Sequence, residues 1–125
     1  MVKRAVLMVL AALMAAALMA PVALAVTKQC DERPCLGTAK DDRLLERPGD
    51  GTDDTIRGRG GKDVIRANRY DRDVDLLYGG AGRDRLNAQD GDGRDELRGG
   101  RGFDVCYVDE GDAYSGCEEV ATVIE

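Results

Sequence analysis

The chain has 125 residues, with 24 acidic against 18 basic side chains, no histidine, no tryptophan and one serine, Ser115. This composition excludes a Ser-His-Asp triad and a histidine-based zinc centre. A net charge of −6 argues against nucleic acid and anionic membrane as partners and for a cationic one.

Residues 1–25 read as a Sec-type signal peptide. Lys3 and Arg4 precede an apolar run from Ala5 to Ala20, and Ala23-Leu24-Ala25 gives a small-x-small cleavage site. A retained amino-terminal anchor is the alternative. Cleavage would leave Val26 to Glu125 as one small domain with 16 basic and 24 acidic side chains and no methionine. No second hydrophobic segment follows, so no membrane insertion is expected after cleavage. The expected location is secreted and extracellular, where disulfides are permitted.

Next comes a repeat. Gly79 to Asn87 reads G-G-A-G-R-D-R-L-N and Gly99 to Tyr107 reads G-G-R-G-F-D-V-C-Y. Both fit G-G-x-G-x-D-x-U-x, with U a large apolar residue. Indexed by the aspartate, strong copies centre on Asp63, Asp84 and Asp104, weaker ones on Asp42, Asp54, Asp75 and Asp95, and a decayed one on Asp112. Successive spacings are 12, 9, 12, 9, 11, 9 and 8. One coil, two strands and two turns, therefore takes 21, 21 and then 20 residues from Asp42 to Asp63, Asp84 and Asp104. The extra residues fall in every second turn and so project from one side of a solenoid. The spacing predicts a tight edge at Asp42, Asp63, Asp84 and Asp104, and a long-loop edge at Asp54, Asp75, Asp95 and Asp112.

Short strands are predicted at Arg43–Leu45, Thr55–Arg57, Val64–Arg66, Leu76–Tyr78, Arg85–Asn87, Glu96–Arg98 and Val105–Tyr107. Their central residues are Leu44, Ile56, Ile65, Leu77, Leu86, Leu97 and Cys106, which the period of two turns inward. A helix is excluded, because an apolar residue every 9 to 12 positions paints no helical stripe. So thin an apolar ladder with so many acids has the composition of a disordered chain. A ligand that removes charge repulsion and pins the turns is needed.

A hard divalent cation does both, since calcium takes six to eight oxygens from carboxylates and backbone carbonyls. The predicted ligands on the tight edge are three groups: Gly58, Gly60, Gly61 and Asp63; Gly79, Gly80, Gly82 and Asp84; Gly99, Gly100, Gly102 and Asp104. Gly37-Thr38-Ala39-Lys40-Asp41-Asp42 keeps only the first glycine and Asp42, as a cap or half-site. On the long edge Asp54, Asp75, Gly91, Gly93 and Asp95 are candidates, with a solvated acidic loop as the competing reading. Arg43, Arg57, Arg72, Arg83, Arg94 and Arg98, next to many of these acids, are expected to moderate their repulsion.

Four cysteines allow three pairings. Cys30 and Cys35 precede the first repeat, while Cys106 and Cys117 lie at the other end. Three intervening coils would separate the ends by roughly 14 Å at about 4.8 Å each, beyond disulfide reach. Cys30–Cys35 and Cys106–Cys117 is the expected pairing. The domain plan is signal peptide 1–25, cap 26–36, roll 37–115 and tail 116–125, the last adding a strand at Val120–Ile124 or fraying.

The repeat resembles the RTX, or haemolysin-type, calcium-binding family over Gly37 to Tyr107. The chain also resembles small secreted actinobacterial calcium-binding proteins, through its Cys106…Cys117-Glu118 ending. The resemblance implies an all-β fold, a parallel β-roll of three to four coils with calcium between turns. It implies a non-enzymatic calcium-binding protein, expected to be monomeric. The alternative is an adhesive or structural cell-envelope protein that meets an unknown protein or cell-wall partner through the long edge or Tyr70, Tyr78, Tyr107 and Tyr114.

Overall fold

The computed structural model describes residues 24–31, 33–48, 51–67 and 72–123. The signal-peptide reading of residues 1–25 thus falls almost wholly outside the described residues. Eleven strands follow in chain order: β1 (Thr27–Cys30), β2 (Cys35–Leu36), β3 (Arg43–Glu46), β4 (Thr55–Arg59), β5 (Val64–Arg66), β6 (Leu76–Ala81), β7 (Arg85–Asn87), β8 (Glu96–Arg101), β9 (Val105–Asp109), β10 (Ala113–Ser115) and β11 (Glu119–Val123). Odd-numbered strands form one sheet in the order β1-β3-β5-β7-β9-β11, and even-numbered strands form the other. Every pairing is parallel, so the chain is an all-β, two-sheet parallel solenoid.

The register reproduces the coil length read from the aspartates. Leu44 faces Ile65, Ile65 faces Leu86 and Leu86 faces Cys106 in one sheet. Ile56 faces Leu77 and Leu77 faces Leu97 in the other. All seven are fully buried, as a period of two requires once one face of each strand is covered. Both disulfides form as expected, with Cα separations of 5.3 Å for Cys30–Cys35 and 5.9 Å for Cys106–Cys117.

The sheets run further than the repeats suggest. Segment 26–36, expected as a cap, supplies β1 and β2, and Cys35 stands opposite Ile56 as a rung of the apolar ladder. The tail supplies β11, which pairs with β9. A second inward row, Cys30, Ala67, Ala88 and Val108, thickens the core. Strands β4, β6 and β8 are longer than predicted because the opening motif residues stay in the ladder, with Arg59 opposite Gly80 and Gly80 opposite Gly100.

That ladder demands a left-handed backbone at the second motif position. Gly80 and Gly100 have φ of 96° and 100°, and Arg59, at the same position one coil earlier, has φ of 83°. The left-handed region costs a non-glycine residue about 1–2 kcal/mol. Replacing Arg59 by glycine returns about 0.4–1 kcal/mol through the greater freedom of the unfolded chain. The net effect of Arg59→Gly is a gain of about 1 kcal/mol, or roughly 4–8 °C in Tm for a domain of this size. Thermal unfolding of the two proteins at the same calcium concentration checks it.

Candidate metal-binding edges

Each edge of the solenoid is a column of aspartates. On the tight edge the backbone N–H of one aspartate donates to Oδ1 of the next: Asp42 to Asp63 at 2.8 Å, Asp63 to Asp84 at 2.9 Å, Asp84 to Asp104 at 2.8 Å. The long edge repeats this, with Asp54 to Asp75 at 3.0 Å, Asp75 to Asp95 at 2.8 Å and Asp95 to Asp112 at 3.0 Å. One carboxylate oxygen per coil is thus a structural hook. The other, Oδ2 of Asp63, Asp75, Asp84, Asp95 and Asp104, is buried and receives no hydrogen bond. Native proteins rarely leave a buried acceptor so, and a buried charge without a counter-charge is far more costly.

Gly79 shows what these oxygens face on the tight edge. A Cβ there would lie 2.5 Å from Oδ2 of Asp84 and 2.6 Å from the Gly99 carbonyl oxygen of the next coil. Only glycine admits this approach of carboxylate and carbonyl. Gly58 and Gly99 stand in the same relation to Asp63 and Asp104. The donor set is oxygen throughout, carboxylate and carbonyl, which fits a hard cation such as calcium and not a soft one.

Asp42 differs. Its oxygens accept from the Val26 N–H at 2.8 Å, the Thr38 N–H and the Thr38 hydroxyl at 3.0 Å. Thr38 occupies a motif position usually held by glycine and closes the first turn with its own donors. The open carboxylates of the tight edge therefore begin at Asp63. At the other end Glu118 replaces the aspartate and accepts the Asp104 N–H at 2.7 Å. Thr38 does not stand out in the sequence, whereas Glu118 takes the repeat's acidic position one coil after Asp104.

The long edge is richer in acid than its motif copies suggest. Three groups place carboxylate oxygens mutually within 4.8 Å: Glu46, Asp54 and Asp75; Asp73, Asp75 and Asp90; Asp90, Asp92 and Asp95. Asp73, Asp90 and Asp92 lie in the acidic loops that end at Asp75 and Asp95, for which the sequence leaves a calcium site and a solvated loop open, whereas Glu46 belongs to no such loop. Glu46 lies two residues beyond inward-facing Leu44, so strand parity alone turns it inward. Gly91, a predicted ligand, has open space around its Cβ direction and φ of 107°, and its N–H donates to Asp109 Oδ2 at 2.8 Å. The Cβ direction of Gly93 points instead at the carbonyl oxygen of Glu110.

Three of the arginines expected to moderate the repeat acids, Arg57, Arg83 and Arg98, lie against aromatic rings instead. Arg57 and Arg98 both stack on Tyr78, at 5.1 and 5.6 Å from the ring centroid, and Arg83 stacks on Phe103. Arg98 pairs with Glu96 on its own strand. The reason is parity: a neighbour of an inward-facing residue points outward. Arg33, from outside the repeats, meets a repeat aspartate, Asp54, at 3.2 Å.

Burial sets the electrostatics of both columns. It raises the Asp63 carboxyl to about 7, helped by Asp84, Asp42 and Asp41 and opposed by the Asp42 N–H. It raises Asp84 to about 6, with Asp104 adding. Asp75 and Asp95 are also raised, by burial first and then by the acids around them. A carboxyl raised above its ordinary 3.8 takes up a proton on folding. The ion-free fold is therefore most stable below that value and loses stability as the pH rises through about 6 and 7. Cation binding needs the charged forms, so affinity changes in the opposite direction. Between pH 5 and pH 8 the ion-free protein should lose β-structure while its apparent calcium affinity rises, with protons released on binding at pH 6. Circular dichroism in chelator and calorimetry in buffers of different ionisation enthalpy check both signs.

A family model of the RTX calcium-binding nonapeptide repeat, four copies, matches residues 48–69, 71–106 and 89–112. No curated protein and no solved structure gives a significant match. The matched segments contain Asp54, Asp63, Asp75, Asp84, Asp95, Asp104 and Asp112 from the two columns, and repeats of this kind are structural rather than catalytic. With its parallel two-sheet coil and acid-lined turns, the chain belongs to the RTX calcium-binding repeat family.

Proposed function

We propose that this is a secreted calcium-binding protein in which ion binding and folding are one event. The observation that carries this reading is the row of buried Oδ2 atoms of Asp63, Asp84 and Asp104, none with a donor. Calcium, when bound, supplies positive charge against these oxygens and a coordination sphere that ties successive turns together. Asp63, Asp84 and Asp104 and the glycine turns that begin at Gly58, Gly79 and Gly99 would hold it. Asp84 would serve both neighbouring coils. The same aspartates grip the backbone of the preceding coil through Oδ1, so a change in their charge reaches the ladder directly. Apolar support is thin, and most coils depend on their neighbours for burial. Ligand affinity therefore becomes folding free energy. Export rests on the signal-like residues 1–25, and the disulfides at both ends agree with an oxidising compartment.

In chelator the circular-dichroism spectrum should be largely that of an unfolded chain near neutral pH, becoming β-rich as calcium is added. A spectrum indifferent to calcium would reject the proposal.

A second reading, a calcium-stabilised adhesive or structural envelope protein, has one observation in its favour. The outer sheet faces carry preorganised arginine–tyrosine stacks. Tyr78 lies between Arg57 and Arg98, and Arg85 lies over Tyr107 with a 3.0 Å hydrogen bond to its hydroxyl. Arginine and tyrosine are the side chains that dominate recognition surfaces. A pull-down from envelope fractions at high and low calcium separates the readings: a partner retained only with calcium supports the second, and no partner leaves calcium binding itself as the role. The chain is expected to sediment as a monomer in either case.

A further inference from the structure

We infer that the outer face of the six-stranded sheet binds a linear acidic polysaccharide, and does so only once calcium has wound the coils that form it. This rests on the calcium-dependent folding proposed above and gives the envelope reading a class of partner. The outward residues of β3, β5 and β7 are Arg43 and Leu45, Val64 and Arg66, Arg85 and Asn87. Half of them are arginines and none is an acid. Arg43 stands opposite Val64 and Val64 opposite Arg85. The two arginines are therefore two coils apart, about 9.6 Å at about 4.8 Å per coil. Arg66 occupies the neighbouring column, between Leu45 and Asn87.

These arginines surround a shallow depression of about 230 Å³, lined also by Val64, Ile65, Asn87 and Tyr107. Tyr107 holds Arg85 in place: the guanidinium lies 5.8 Å from the ring centroid and donates to the hydroxyl at 3.0 Å. A second depression, of about 260 Å³, continues from Arg85 past Lys62, Arg83 and Phe103, with Asp84 and Val105 also lining it. Five cations thus share one face. All five are exposed, and among the described residues none of them forms an ion pair. On the opposite sheet, by contrast, Arg98 is already held by Glu96 at 2.6 Å. The acids of this face lie at its margins: Asp41, which accepts the Lys62 N–H at 2.7 Å, and Glu119 on the last strand, β11.

The side chains name the ligand. Guanidinium forks take carboxylate, sulfate and phosphate groups with two parallel hydrogen bonds. Asn87 and Tyr107 add neutral donors, acceptors and a ring face, which suit sugar hydroxyls and sugar rings. One sugar in a β-linked chain is about as long as one coil is high. A polymer lying along the solenoid axis with an anion on alternate sugars therefore matches the spacing of Arg43 and Arg85. The net charge of −6 opposes an anionic surface that meets the whole molecule, such as a bilayer. A single strand confined to this face meets its cations instead. Arg43, Arg66 and Arg85 come from three successive coils, so an unwound chain does not present them together. Calcium controls the face without touching it.

The test is fluorescence anisotropy of a labelled hyaluronate oligosaccharide, which carries a carboxylate on alternate sugars, with the full chain in calcium and in chelator. Circular dichroism is recorded on the same samples. Binding should occur in calcium, weaken with added salt and vanish in chelator, while neutral dextran is ignored. Arg43→Gln with Arg85→Gln should weaken binding about tenfold and leave the calcium-bound spectrum unchanged. Arg57→Gln with Arg98→Gln removes the same charge from the opposite sheet and should bind as the unchanged protein does. Equal loss in both double variants would reduce the effect to net charge and overturn the inference. So would a calcium-folded protein that ignores hyaluronate, or one that binds phosphatidylglycerol vesicles in its place. Those results leave calcium-dependent folding standing, whereas a spectrum indifferent to calcium rejects that reading itself, so the two failures are distinguishable. Should the first double variant not fold, Arg66→Gln alone should weaken binding, and an unchanged affinity would overturn the inference.

Discussion

The structure depends on one division of labour within a carboxylate. In every open repeat aspartate, Oδ1 accepts the N–H of the aspartate one coil earlier, while Oδ2 is buried with no donor. The first oxygen makes the coil and the second makes the coil conditional. An acid that only needed to be a hook could be an asparagine, which offers the same acceptor without charge. Keeping the charge means that each coil carries a desolvation cost that only a proton or a cation offsets. Folding and charge neutralisation are therefore coupled at every rung rather than at a single switch.

The two edges solve the same problem with different residues. At the tight edge, glycine lets the Asp84 carboxylate and the Gly99 carbonyl crowd one point beside Gly79. At the long edge, inserted residues bring further acids, and Glu46, Asp73, Asp90 and Asp92 gather around the column aspartates. The ends depart from both patterns. Thr38, Arg33, Glu118 and the two N–H groups on Asp112 supply donors or substitute acceptors at the terminal coils. Two disulfides hold these terminal coils, which would otherwise be the first to fray.

The outer faces follow from the same parity. Residues flanking each inward apolar residue point outward, so Arg57, Arg85 and Arg98 gather on the flat faces and stack on Tyr78 and Tyr107. Guanidinium groups thus lie over the sheets, while the repeat aspartates line the edges.

Most of the coil was legible in the sequence because two simple periods act together. The aspartate spacing gives the coil length, and alternation gives the inward residue, so the stacking of Leu44, Ile65, Leu86 and Cys106 follows from the chain alone. The inward turn of Glu46 was equally implied by parity but lay outside the motif. What only the tertiary structure decided was which loop acids meet. Asp73 and Asp90 are 17 residues apart in the chain and belong to different coils. Their oxygens converge because parallel stacking brings adjacent coils within a few ångströms, a proximity no local pattern encodes. The closing of Asp42 by Thr38 and the meeting of Arg33 with Asp54 have the same origin. The sequence alone determined the repeat, its period and its need for a cation. Which oxygens remain open to meet that need depends on contacts between coils, and those exist only once the chain has wound.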